Sequence, residues 1–144
     1  MPTVAETKER VQAYLTREFD SVTVDGDGDY SLAAGSTQVF VRVMQHPNDE
    51  STIVSVWAPV LAQVEPTAEL FEYVATKTDS WFFGHLSVEM DEQGLAFIAM
   101  SHRLLGDFLD LDELMFVVVG IGQVADRIDD ELQVMFGGMK FREE

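Results

Sequence analysis

The chain has 144 residues, 47% of them hydrophobic, with two Trp and ten Phe, which excludes general disorder and provides for one real core without staples. It carries nine basic against 26 acidic residues, a net charge of −17, so phosphate backbones and anionic lipid are repelled, and neither nucleic acid nor membrane is expected as a partner. Cysteine is absent, which excludes disulfides and Cys-based zinc or redox chemistry.

In chain order, Thr3 and Glu6 form a capping box ahead of Val4, Val11, Tyr14, Leu15 and Phe19, which predicts a first helix ending near Glu18. Val22 and Val24 alternate with polar neighbours before the turn sequence Asp25-Gly26-Asp27-Gly28-Asp29. A strand is expected from Tyr30 to Ala34, and Gly35-Ser36 turns the chain into a second from Thr37 to Met44, with Val39, Val41 and Val43 on one face. After a polar loop from His46 to Ser51, the segment Thr52 to Ala58 reads as a strand apolar on both faces, Ile53 and Trp57 on one and Val54 and Val56 on the other. Such a strand is central, or covered on both sides.

Pro59 and Pro66 end that pattern, and Thr67 caps a second helix with Leu70, Phe71, Val74 and Ala75 on one face, stopping by Asp79. Phe82, Leu86, Val88 and Met90 then alternate with polar residues, and Asp91-Glu92-Gln93-Gly94 turns into a strand from Leu95 to Ser101, giving a hairpin. A loop from His102 to Leu109 leads to the longest element, Asp110 to Phe136.

In that last element Leu114, Val118, Ile121, Ala125, Ile128, Leu132 and Met135 recur at steps of four and three, the spacing of one helical stripe. Asp110 with Glu113 marks its start, and Gly137-Gly138 its end. The β-branched Val117 to Val119 and the glycines 120 and 122 argue for a strand, but a strand does not explain a stripe sustained to Met135. The first half is apolar all the way round, so Met115, Phe116 and Val119 need a cover beyond the core: another helix, a second subunit or a bound segment. These three are the candidate partner-binding residues. Asp126, Arg127, Asp129 and Asp130 read as a solvated face.

No catalytic residue, metal ligand or cofactor site is read from the sequence. Asp25, Asp27 and Asp29 resemble the opening of a calcium loop, but its sixth position is Tyr30 rather than Gly and its twelfth is Ser36 rather than Glu, so a polar turn is expected. His46, His85 and His102 lack the spacing that sets two imidazoles on one helical face, and no serine sits in a G-x-S-x-G elbow.

The order of elements, helix, three or four strands, helix, two strands, helix, predicts a single α+β domain over residues 1–144, with a largely antiparallel sheet of about five strands and helices at the N-terminus, middle and C-terminus. That order, with Val39-Phe40-Val41-Arg42-Val43, Trp57-Ala58-Pro59-Val60, Leu105-Gly106-Asp107 and Ala125-Asp126 through Phe136-Gly137-Gly138, resembles the YbjN domain family and its relatives, the type III secretion chaperones of the CesT kind. The resemblance implies a peptide-binding, chaperone-like and often dimeric fold, and supplies no catalytic residue.

The function expected is a non-enzymatic, cytoplasmic binding module that shields an apolar or basic segment of a client polypeptide, with a homodimer as a second expectation. The alternative is an enzyme or small-ligand-binding domain whose site is assembled from residues distant in sequence. An apolar patch open to solvent favours the first, and a deep pocket with convergent polar groups the second.

Overall fold

The computed structural model of the protein describes residues 2–48 and 50–142, so Asp49 of the expected polar loop lies outside the described residues. Its elements are α1 (Val4–Glu18), β1 (Thr23–Val24), β2 (Tyr30–Ala34), β3 (Thr37–Gln45), β4 (Thr52–Val64), α2 (Ala68–Lys77), β5 (His85–Met90), β6 (Ala96–Leu105) and α3 (Leu111–Phe136). The strands form one six-stranded sheet in the order β1-β2-β3-β4-β6-β5, every pairing antiparallel. The expected count of about five thus becomes six through β1, a two-residue edge that pairs Thr23 with Ser31 and Val24 with Tyr30.

Side chains alternate across a strand, so the register assigns every residue to a face. Val39, Val41 and Val43 of β3 lie beside Val54 and Val56 of β4, and these pair onward to Leu104 and His102 of β6. That face meets the helices: Val11 and Leu15 of α1, Leu70 of α2 and the stripe of α3 join it in one buried cluster. The opposite face carries Phe40, Arg42, Trp57, Ser101 and His85. The central position expected for β4 is observed, with helices over one of its faces.

All three N-cap readings hold, Thr67 Oγ1 accepting the Leu70 N–H at 3.2 Å at the start of α2. Thr3 and Glu6 make the reciprocal capping box of α1, and the Asp110 carboxylate accepts the Glu113 N–H at 2.8 Å. At the far end of α3, Gly137 and Gly138 take φ of +75° and +86°, the left-handed exit that glycine allows without strain. The glycines within the helix differ. A Cβ at Gly122 would lie 3.0 Å from Ala34 Cβ and from Val39 Cγ2, so this residue lets α3 settle closely on the sheet, whereas a Cβ at Gly120 would meet nothing within 4 Å.

Six expectations need correction. β4 does not end at Pro59 but runs to Val64, because register shifts against β6 on either side of Leu61 accommodate a residue that has no N–H to give the ladder. β6 runs on through His102 to Leu105, since Ile53 to Val56 need partners on that side. Phe82 stands 101% exposed ahead of β5, outside the alternation expected for it. In α2 only Leu70 is buried. Phe71 and Ala75 face solvent, while half-buried Tyr73 packs edge-on against Phe136 at 5.6 Å. In α3 the stripe holds from Leu114 to Leu132, but Met135 is 52% exposed, and Asp129, read as solvated, is fully buried.

A groove along the last helix

The core-facing stripe of α3 fixes what its other side presents. With Leu114, Val117, Val118, Ile121 and Ala125 buried, the residues about 100° further round form an outer stripe: Asp112, Met115, Phe116, Val119, Gly120 and Gln123. Met115 is half-buried against the core, while Phe116 is 67% and Val119 41% exposed. Thus two of the three candidate partner-binding residues stand open to solvent and the third is partly covered within the monomer. Gly120 adds no side chain between them, and the stripe lines an open, mainly apolar groove of about 440 Å³. The groove shares Val119 and Gln123 with a smaller recess of about 190 Å³ that reaches Phe19, Leu32 and Ala33.

The second wall comes from the loop before β5. The Phe83 ring lies 6.4 Å from that of Phe116, tilted by 31°, and edge-on to the His102 imidazole at 5.8 Å. Gly84 has φ +92°, and a Cβ there would sit 2.3 Å from Ile121 Cδ1, so glycine is what lets this loop cross α3 so closely. The Gly84 N–H donates to His102 Nδ1 at 3.1 Å. Burial holds the His102 pKa below the usual imidazole value, with the neighbouring His85 acting in the same direction and Glu113 opposing. The neutral ring is therefore the form whose Nδ1 accepts this bond, with the ring proton on Nε2. Sequence reasoning missed Phe83 and Gly84 as parts of the wall. The two aromatic residues Phe82-Phe83 ahead of a glycine were the available signal.

The polar residues weighed for chemistry have structural partners. Asp25 Oδ1 accepts the N–H groups of Asp27 and Asp29 at 2.9 and 3.0 Å, an Asx turn, and Asp29 binds the Arg42 guanidinium, with Nη2 at 2.6 Å from Oδ2. Asp126 Oδ1 accepts the N–H and hydroxyl of Ser36 at 2.8 and 2.7 Å, and Ser36 Oγ also contacts Asp129 Oδ2. Ser36 thus lowers the Asp126 pKa, chiefly through its backbone N–H, while burial raises that of Asp129 against the opposing pull of Ser36. His85 meets Ser101 at 3.3 Å, whereas His46 accepts the Asn48 N–H in its own loop. His85 also lies near His102, but among the described residues no group of three His, Asp or Glu side chains could hold a metal ion.

An antiparallel sheet with helices on one face and an uncovered apolar groove has the form of a polypeptide-binding protein. Residues 5–144 match the family described as T3SS (YopN, CesT) and YbjN peptide-binding chaperone 1, TY-Chap1, and the chain belongs to that family of peptide-binding chaperones. Two solved structures share its fold. The ExsC–ExsE complex matches at TM-score 0.63 with 17% identity, over 90% of this chain and 96% of that one. YbjN from E. coli matches at 0.65 with 12% identity, over 99% and 97%. An uncharacterized protein of Aquifex aeolicus (strain VF5) is 26% identical over 95 residues, which are 66% of this chain and 38% of that protein, so the similarity spans well under half of the relative's length. Among the described residues, no helix is long and apolar enough to cross a membrane.

Proposed function

We propose that this chaperone holds an apolar stretch of a client polypeptide along the α3 groove, with Phe116 and Val119 as its main contacts, Met115 at its base and Phe83 as its far wall. The observation that carries the reading is Phe116, which stands 67% exposed beside Phe83 on the face of α3 turned away from its buried stripe. A client with basic residues flanking the apolar stretch suits a surface of net charge −17, which speeds encounter more than it deepens affinity. The client is bound and released unchanged, as a chaperone requires, and the cytoplasm is the compartment we assign to it. In the absence of client, a second copy of the chain covers the same groove.

The test is a titration of client peptides, recovered by photo-cross-linking from position 116, against wild type and Phe116→Glu. Wild type binds, the variant folds but binds at least about tenfold more weakly, and mass spectrometry returns the peptide intact. Retained affinity in the variant would remove the site, and a cleaved or altered peptide would remove the non-enzymatic reading. Sedimentation of the same two proteins tests the second copy: wild type self-associates and Phe116→Glu does not.

A further inference from the structure

The face of the sheet turned away from the helices has a recess of its own. Its floor is made of small residues from adjacent strands: Ser55 of β4, Ala99 and Ser101 of β6, and Ser87 of β5. Larger side chains rise around them, leaving a hollow of about 480 Å³. The register orders the rim. Ser55 is the cross-strand partner of both Arg42 and Arg103, so two of the nine basic residues of the chain flank one small residue at one end. In the next row Trp57 lies between Phe40, stacked on it at 5.2 Å, and Ser101, with His85 beyond. At the opposite end Phe97 pairs with Glu89.

The two arginines are not equivalent. Arg42 gives Nε and Nη2 to Asp29, and its guanidinium carbon lies 5.5 Å from the Trp57 ring centre. Arg103 is exposed and has neither a hydrogen bond nor an ion pair among the described residues. An unpaired guanidinium with an indole one row away suits a carboxylate joined to an apolar group. β4 and β6 are paired on both sides and β5 forms the edge of the sheet beyond them, so within the recess recognition falls to side chains rather than to strand addition. Glu89 stands about 20 Å from Arg103 by the rise of a strand, and it bars a second carboxylate from that end. The overall charge of −17 likewise repels a polyacidic tract.

We propose that this recess is a second peptide subsite, which takes an isolated Glu or Asp side chain of a client polypeptide next to an aromatic or aliphatic residue, the carboxylate on Arg103 and the apolar neighbour on Trp57. The proposal rests on the peptide-binding reading but not on the α3 groove. Its test uses acetylated, amidated Gly/Ser peptides with a central Leu-Glu-Phe, and counterparts with Leu-Gln-Phe and Leu-Lys-Phe. These are titrated while the Trp57 indole N–H and the Ala99 and Ser101 amides are followed by NMR. The Glu peptide shifts these signals and binds roughly tenfold more tightly than its Gln counterpart. Arg103→Gln, a surface change, abolishes that preference, and Phe116→Glu leaves it intact. Equal affinity for Glu and Gln, tighter binding of Lys, a preference that survives Arg103→Gln, or no binding by any peptide overturns the subsite. Loss of the preference in Phe116→Glu instead assigns acidic peptides to the α3 groove and also overturns it. Client binding at the groove is read separately, from the affinity of the cross-linked peptides for Phe116→Glu.

Discussion

Asp126 on α3 and Ser36 in the turn between β2 and β3 are joined by two hydrogen bonds, from the Ser36 N–H at 2.8 Å and its hydroxyl at 2.7 Å to the same carboxylate oxygen. One turn along the helix, Asp129 reaches the same serine but is fully buried, with Oδ1 unpartnered. The two carboxylates therefore respond to pH with opposite signs. The Asp126 pKa is lowered, so its contribution is present above the usual carboxylate value of 3.8 and is lost as pH falls through the depressed one. The Asp129 pKa is raised, so its ionised form costs stability as pH rises above 3.8. At neutral pH, Asp129→Asn is expected to leave stability unchanged or raise it, and Asp126→Ala to lower it by about 1 kcal/mol, since the bonded carboxylate is solvent-exposed. Urea denaturation of both variants checks the pair, and equal effects of the same sign would contradict it.

The glycines of α3 give a second pair. Gly120→Ala adds a methyl that meets nothing within 4 Å and gains about 0.8 kcal/mol of helix propensity, so the melting temperature should rise. The same methyl fills the groove floor and should weaken client binding. Gly122→Val drives a branched side chain into Ala34 and Val39 and should cost about 2 kcal/mol. Calorimetry separates them, and a stabilised Gly122→Val would mean that the helix does not lie on β3 as described.

Ile128 is 4% exposed in the middle of the buried stripe. Ile128→Asp places a charge there and should cost several kcal/mol, enough to unfold much of the population. Circular dichroism on heating reads the result, and an unchanged transition would refute the placement of that face.

The His102 imidazole is held below its usual value of 6.5, mainly by burial. The unfolded chain binds the proton more readily, so stability is complete above 6.5 and declines as pH falls through that value toward the depressed one. Protonation also removes the acceptor for the Gly84 N–H, which loosens the Phe83 wall of the groove. Corrected for the intrinsic, base-catalysed rate, amide exchange at Gly84 should lose protection as pH falls below 6.5. Protection that stays flat there, or a matching change in His102→Gln, would break the link.

Much of this architecture could be read in advance where the signal was local. Thr3 with Glu6, and Asp110 with Gly137, mark helix ends through contacts within a few residues, and the stripe from Leu114 to Leu132 repeats often enough to outweigh two glycines and three valines. The surplus residues Phe116 and Val119 followed from that stripe by subtraction. What escaped depends on distant partners. Pro59 looks like a stop until β6 is seen to shift register beside it, and Asp129 looks solvated until Ser36 arrives from another element. Arg42 and Arg103 come to flank Ser55 only once β4 lies between their strands. The groove was half legible for the same reason: its helix side lies in one periodic segment, while Phe83 and Gly84 come from a loop whose course the periodicity does not describe.

The extension of β4 to Val64 engages more than β6. β4 runs past its last pair with β3, Trp57 with Phe40, and further along Met139 of the segment after α3 bonds to it through two backbone bonds of 2.8 Å, its N–H to the Ala62 carbonyl and the Ala62 N–H to its own. Phe141 follows, edge-on to Phe40 at 6.0 Å, and Arg142 donates to the Ser36 carbonyl. This stretch therefore completes the pairing of β4, and until it docks, Ala62 presents a bare donor and acceptor to any passing chain. Molecules in which this stretch is undocked are for that interval open to strand exchange and aggregation, so its hold on Ala62 governs how cleanly the protein reaches and keeps its fold.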